Sequence, residues 1–364
     1  MCDNFITNKV ARIQYIDALR GFTMILVVFA HVETFGFFNF GYETFVGKLF
    51  QSFRMPLFFF ISGFLAYKAD RVWDIQTCWK LTKKKLVVQI VPALIFGLVY
   101  TYFYVHTDFH AFVSNPAKLG YWFTLVLLEM LLLYYFLSGL TYVLSKRIRV
   151  SESSMSVFLL IFFAVGLFLL KLPFKTSPSL DMLGNYTSLH YTFSYFMYFV
   201  FGVLARQYMY IFERIIDNKL ITAIAIVVFS GVFYWYSQLD LDLYQNGVIG
   251  KVILTIVESV MGFVGIVIVF AFFRKNASTF DSTTKLGNAL QFIGRRTLDI
   301  YVLHYFFLPN LPQVGNFIIS SNNVVIEIFL GFGLSLLVIL CCLCISGLLR
   351  INQVLGKYLF GARS

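Results

Sequence analysis

Residues 16–38 read IDALRGFTMILVVFAHVETFGFF, and this stretch decides the class of fold. It is predominantly apolar, with Asp17, Arg20, His31 and Glu33 as its only ionisable side chains. At 1.5 Å per helical residue it is long enough to cross a hydrocarbon core of about 30 Å. Nine further runs of similar character are expected near 46–67, 86–105, 121–144, 155–171, 189–208, 219–238, 247–272, 288–309 and 324–349. The runs are continuous rather than alternating with period two, which disfavours a β-barrel. The whole chain has the same bias: 364 residues, 59% hydrophobic, 19% aromatic and 13% charged, with mean hydropathy +0.78. Soluble domains carry about 25% charged residues. The expectation is an all-α integral membrane protein of about ten spans, a single domain over 1–364.

The formal net charge of +11 would suggest nucleic acid in a soluble protein. Here it reads as topology, because Lys and Arg collect in cytoplasmic loops. Only Lys48, Lys118, Lys171, Lys175 and Lys251 fall in the odd-numbered connections; Arg20, Arg54, Arg295 and Arg296 lie within spans, and the other twenty fall in the tails and even-numbered connections. Both termini are therefore expected in the cytoplasm, with no nucleic-acid partner. The first run is span-length and lacks a small-residue cleavage site, so it reads as a retained anchor. Five cysteines offer neither a disulfide framework nor zinc spacing. His106 and His110 have ligand-like spacing in an outer loop without a further partner, and no metal is expected.

Ionisable groups inside hydrocarbon are functional candidates. With the N-terminus inside, His31 lies roughly 22 Å up the first span, Arg54 and Glu129 about 12 Å below the outer surface, and Glu258 about 16 Å below it. These four are expected to converge on the outer half of the membrane. At the inner face stand Asp17 and Arg20, with Lys83, Lys84 and Lys85 at the start of the third span. Arg20 and His31 are eleven residues apart, which turns the helix by about 20° past three full turns and separates them by about 16 Å on one face. A cationic inner mouth and a buried imidazole suit a substrate with an anionic head and a reactive end. His304, on the ninth run, reads either as packing or as a contact to substrate.

The string YIDALRGFTMILVVFAH (15–31) resembles the signature of the membrane acyltransferase 3 family, an Arg and a His separated by ten residues, here Arg20 and His31. FRMPLFFFISGFL (53–65), YWFTLVLLEM (121–130) and IGRRTLDIYVLHYFFLP (293–309) resemble its later blocks, in the same order. The resemblance implies transfer of an acetyl or other short acyl group from cytoplasmic acyl-coenzyme A (acyl-CoA) to a hydroxyl of an envelope glycan or lipid-linked sugar outside. On that pattern His31 is the general base or transient acyl carrier, and Arg20 helps hold the coenzyme A arm. The family often has Arg-xxx-Phe-Arg before the third-span proline. Here Lys84, Val88 and Gln89 precede Pro92, so one charge loses its bidentate fork and the other is lost. Arg54 stands where relatives often have His.

The residues fit that chemistry. Histidine titrates near neutral pH and suits a base for a sugar hydroxyl. Glu33 or Glu129 is expected to orient it, and Arg54 or a backbone amide near Ser62 to face the oxyanion. Asp17, Arg20 and Lys83–Lys85 are expected around the phosphates of acetyl-CoA, with Arg54, Ser62, Glu258 and His304 towards the acceptor. The competing reading is a transporter or flippase for a lipid-linked sugar, using the same charges without covalent chemistry. A transporter should tolerate His31→Gln. A scaffold for polysaccharide assembly would need no converging ionisable groups.

Overall fold

The computed structural model describes residues 13–38, 44–239 and 247–361. Lys9, Arg12 and Arg363, counted above as cytoplasmic charges, and Cys2 lie outside the described residues. The structure is 85% helical, with no strand among the described residues. Its principal helices are α1 (Gln14–His31), α2 (Phe45–Ala66), α3 (Ile75–Val105), α4 (Trp122–Ile148), α5 (Glu152–Thr176), α6 (Leu189–Gln207), α7 (Lys219–Ser237), α8 (Val248–Lys275), α9 (Lys285–Arg295), α10 (Thr297–Leu303) and α11 (Val324–Leu349). Side chains that punctuate the sequence start them. Thr44, Asp74, Ser151, Asn218, Thr284 and Asn323 each accept a hydrogen bond from a backbone N–H of the first turn.

Eight helices are long and apolar enough to cross a membrane: α1 with its following turn, α2, α3, α4, the first 20 residues of α5, α7, α8 and α11. The protein is a multi-pass membrane protein. The other two expected spans are helical in a different way. The run 189–208 is α6, whose 19 residues include His190, Thr192, Ser194 and three tyrosines and are correspondingly less apolar. The run 288–309 is broken at Arg296 into α9, α10 and a 3₁₀ turn, His304–Phe307. The break is stabilised by Asp299, which is 1% exposed and takes Arg350 at 2.8 Å, Arg296 at 3.2 Å and the Ser346 hydroxyl.

Burial sorts the helices. The apolar window of α1 is 83% buried, whereas those of α5 and α7 are 17% buried. The first helix is thus the axis of the bundle, and much of the apolar surplus elsewhere faces outward, as lipid contact requires. Close packing uses small residues. Along α2 and α6, a Cβ on Gly63 would strike the Phe199 carbonyl, and one on Gly202 the Phe60 carbonyl. The α helices are also locally unwound in three π turns, Val32–Gly36, Leu86–Ile90 and Thr101–Val105. Such turns often sit at functional sites. The first follows His31 directly; the second precedes Pro92, which has no N–H to give a regular helix.

Candidate active site

His31 is the last residue of α1, and both its ring nitrogens are engaged. Nδ1 lies 2.8 Å from His304 Nε2, and Nε2 lies 3.2 Å from the Tyr305 hydroxyl. His304 is fully buried, with Nδ1 3.0 Å from the Ile300 carbonyl. A carbonyl only accepts, so His304 Nδ1 carries its proton. With His304 neutral, its Nε2 is an acceptor, and His31 Nδ1 donates to it. The network therefore leaves His31 Nε2 without a proton, its lone pair facing the Tyr305 hydroxyl, whose single proton is shared with the Gly120 carbonyl. An unprotonated ring nitrogen of this kind can accept a proton, as a general base must. A proton gained at Nε2 leaves the Nδ1–H bond to His304 in place.

The remaining walls hold this pair. Tyr305 and Tyr301 both meet the Gly120 carbonyl, at 3.3 and 3.1 Å, and Tyr121 donates to the Val302 carbonyl at 3.0 Å. Gly120 has φ +106°, and a Cβ there would run into the Tyr305 ring, so the position requires glycine. Beside His31 is a cavity of about 70 Å³ lined by Met24, Val27, Arg54, Phe58, Trp122 and Tyr301. It has room for a group of about acetyl size or a few waters, not for a sugar ring.

The expected convergence of four ionisable groups is met by two. His31 and Arg54 share this cavity. Glu129 instead accepts a hydrogen bond from Thr192, tying α4 to α6, and Glu258 is exposed on α8 beside another cavity. Depth along a span fixes the height of a side chain but not the direction in which its helix turns it. Glu33 is fully buried within the π turn after His31. The place expected for an orienting carboxylate, at His31 Nδ1, is taken by His304. Ser62 is also displaced: its hydroxyl bonds the Phe58 carbonyl at 2.9 Å, its amide lies within α2, and it faces the inner cavity rather than His31.

That inner cavity, of about 940 Å³, is lined by Arg20, Lys68, Arg71, Lys84, Lys85, Arg295 and Lys357, with no Asp or Glu among its lining residues. Arg20 is steadied by the Thr297 hydroxyl at 2.9 Å. Burial lowers the pKa of Lys68, and Arg206 and Arg71 lower it further, so this cation is held among its own kind. Lys84, Val88 and Gln89 all face the cavity. Lys83 does not; it is exposed, its ammonium 4.8 Å from the Trp79 ring. Asp17 is buried one turn before Arg20. Lys68, Arg71 and Lys357 are not legible as site residues in the sequence because a loop cation looks like a topology signal, and Arg295 because a cation inside the ninth run looks like an interruption of it. Along α1, Arg20 faces the inner cavity, whereas Met24, Val27 and His31 face the outer one, so one helix face joins the two.

A multi-pass membrane protein with a hydrogen-bonded histidine pair at one end of its central helix and a polycationic chamber at the other is the class defined so far. Residues 13–346 match the family model described as an acyltransferase domain, and the chain belongs to that acyltransferase 3 family. It is accordingly a membrane acyltransferase. No curated protein and no solved structure matches it. Among the described residues, no group of three His, Cys, Asp or Glu is placed to hold a metal ion.

Proposed function

We propose that the protein carries an acetyl or other short acyl group from cytoplasmic acyl-CoA to a hydroxyl of an envelope glycan or lipid-linked sugar on the outer side of a bacterial cytoplasmic membrane. In this reading the bundle has ten spans and both termini are cytoplasmic. The observation that carries it is the single face of α1, with Arg20 in a cation-lined chamber and His31 in an acetyl-sized one. The inner chamber falls in the size range of ligand pockets, about 300–1,000 Å³. Its cations suit the phosphates of coenzyme A, with Arg71 and Arg295 supplying forks where Gln89 has none. The thioester arm then runs along α1 towards His31.

At His31 the acceptor hydroxyl gives its proton to Nε2 as its oxygen attacks the thioester carbonyl carbon. The new imidazolium keeps its Nδ1–H on His304. Arg54 faces the negative oxygen of the tetrahedral intermediate. The carbon–sulfur bond breaks, the thiolate recovers the proton from Nε2, and the products are an ester and coenzyme A thiol. His304 and Tyr305 hold the base at the right tautomer, which is the part given to a carboxylate in other triads.

The test is transfer of radiolabelled acetyl from acetyl-CoA by purified protein in liposomes, with an envelope-glycan extract as acceptor. Label on glycan with wild type and none with His31→Ala is the expected result. Equal label with both removes His31 from the chemistry. No label with either, from folded protein that fails to bind coenzyme A, favours the transporter reading.

A further inference from the structure

The His31 cavity is too small for a sugar ring, so an acceptor ring must rest elsewhere. A second cavity of about 360 Å³ lies between α2, α5, α6 and α8, outside the chemistry described above. Trp122 lines the His31 cavity, whereas Tyr191 and Tyr195 line this one. The three rings form a near-parallel ladder: Trp122 and Tyr191 have centroids 4.2 Å apart at 24°, and Trp122 and Tyr195 lie 6.0 Å apart at 23°. The two cavities therefore share one aromatic wall. Helix α2 continues the partition, with Arg54 and Met55 on the His31 side and Pro56 on the other.

The lining has a definite chemistry. Ser52, Ser194 and Ser259 each give their hydroxyl proton to a carbonyl of their own helix, at 2.7, 2.8 and 2.6 Å. The lone pairs of Ser52 and Ser194 are left as acceptors, while the Ser259 oxygen also meets Tyr198, and such acceptors suit a ligand rich in O–H donors. Gln51 and Asn185 add amides. The charges are of both signs: Lys171, Glu258 and Asp181 all line the cavity, with Asp181 3.1 Å from His190. A phosphate would meet two carboxylates here, and a bare acyl chain would leave the hydroxyls and amides without use. A neutral pyranose has both a flat C–H face for the tyrosines and hydroxyls for the serines and amides.

Resting on the acyl-transfer reading above, we propose that this cavity is the acceptor subsite and that it takes a neutral or N-acylated pyranose. The ring stays on the tyrosine side of Trp122, and the hydroxyl to be acylated reaches past that wall towards His31.

The test uses the full chain in detergent and saturation-transfer NMR with methyl glycosides of glucose, galactose and N-acetylglucosamine. Ring-proton signals are expected from at least one of them. They should survive His31→Ala and disappear in Ser194→Leu, which fills the cavity, and in Tyr195→Ala, which removes one face. Ser194→Leu keeps the aromatic ladder, so a folding defect in Tyr195→Ala would not decide the matter. In the labelled-acetyl assay both variants should need about tenfold more glycan for half-maximal transfer, with coenzyme A binding unchanged. No signal from any of the three glycosides, or signals unchanged in both variants, overturns the proposal. Wild-type transfer that both variants retain at the same glycan concentration sinks the subsite and leaves the enzyme standing. Failure of wild type to transfer at all, while the glycosides still bind, removes the acyl-transfer reading and with it the role of acceptor subsite.

Discussion

His304 illustrates how one hydrogen bond can set the tautomer of a neighbouring ring. Its Nδ1 is committed to the Ile300 carbonyl, so in the neutral ring its Nε2 accepts, and that fixes the tautomer of His31. His304→Ala should therefore lower turnover by about 10²-fold while leaving the affinity for acyl-CoA intact. His304→Gln, whose amide can supply either partner, should recover part of the loss. Steady-state transfer kinetics alongside coenzyme A titration will decide; a fall in affinity that matches the fall in turnover would show His304 to be merely structural. Lys118 offers a second case, in the outer loop. It is 5% exposed, and its ammonium donates to the carbonyls of Val113, Asn115 and Asn185 at 2.8, 2.9 and 2.6 Å. Burial brings its pKa down to about 8, with Glu129 pulling the other way. A lysine depressed in the folded state binds fewer protons there than in the unfolded chain, so its charge costs stability at low pH and that cost is relieved as pH rises from about 8 towards the free value of about 10.4. Thermal unfolding of the detergent-solubilised protein should show this rise, and Lys118→Met should flatten it. An identical pH slope in the variant would assign the rise to other groups.

The elements divide into those that carry the site and those that enclose it. The contact of α2 with α6 belongs to the first kind, because α2 brings Arg54 and α6 brings the tyrosine ladder. Gly63→Ala would press a methyl group against the Phe199 carbonyl, which is backbone and cannot rotate away. Overpacking of this kind costs about 1–3 kcal/mol, so the melting temperature should fall, whereas Gly166→Ala, on an open face of α5, should leave it unchanged. Equal melting temperatures would mean that the two helices separate without loss. Much at this scale could be read from the chain. Expected spans two, four and eight lie within a few residues of their helices because each apolar run is interrupted by only one or two charged residues. The ninth could be read only as an interruption: Arg295, Arg296 and Asp299 mark where the helix fails, but Arg350, the partner that steadies the break, is 51 residues further on. The Arg20–His31 face was legible because one helix fixes its own geometry. The meeting of His31 with His304 crosses 273 residues, and no local pattern encodes it.

At the scale of the whole molecule, the charge asymmetry and the cationic chamber are two uses of the same residues. Lys68, Arg71, Lys84, Lys85 and Lys357 count towards the positive face that orients the chain, and they also line the inner cavity. A cation that only sets topology can be replaced by another cation or lost singly without effect on a ligand. One that faces a polyanion contributes to binding, and its contribution weakens with salt. Coenzyme A affinity should therefore fall steeply with ionic strength. Arg71→Gln and Arg295→Gln should each weaken it by about tenfold at low salt and lessen the salt dependence, since each removes one charge-assisted hydrogen bond to phosphate. Arg147→Gln, on the same basic face but outside the cavity lining, should do neither. Coenzyme A lacking its 3′-phosphate gives the internal comparison: the variant whose loss disappears with that ligand is the one that holds the 3′-phosphate, and the other belongs to the diphosphate. Should all three variants bind alike, the cations would be topological only, and the donor would have to approach His31 by a route other than the face of α1.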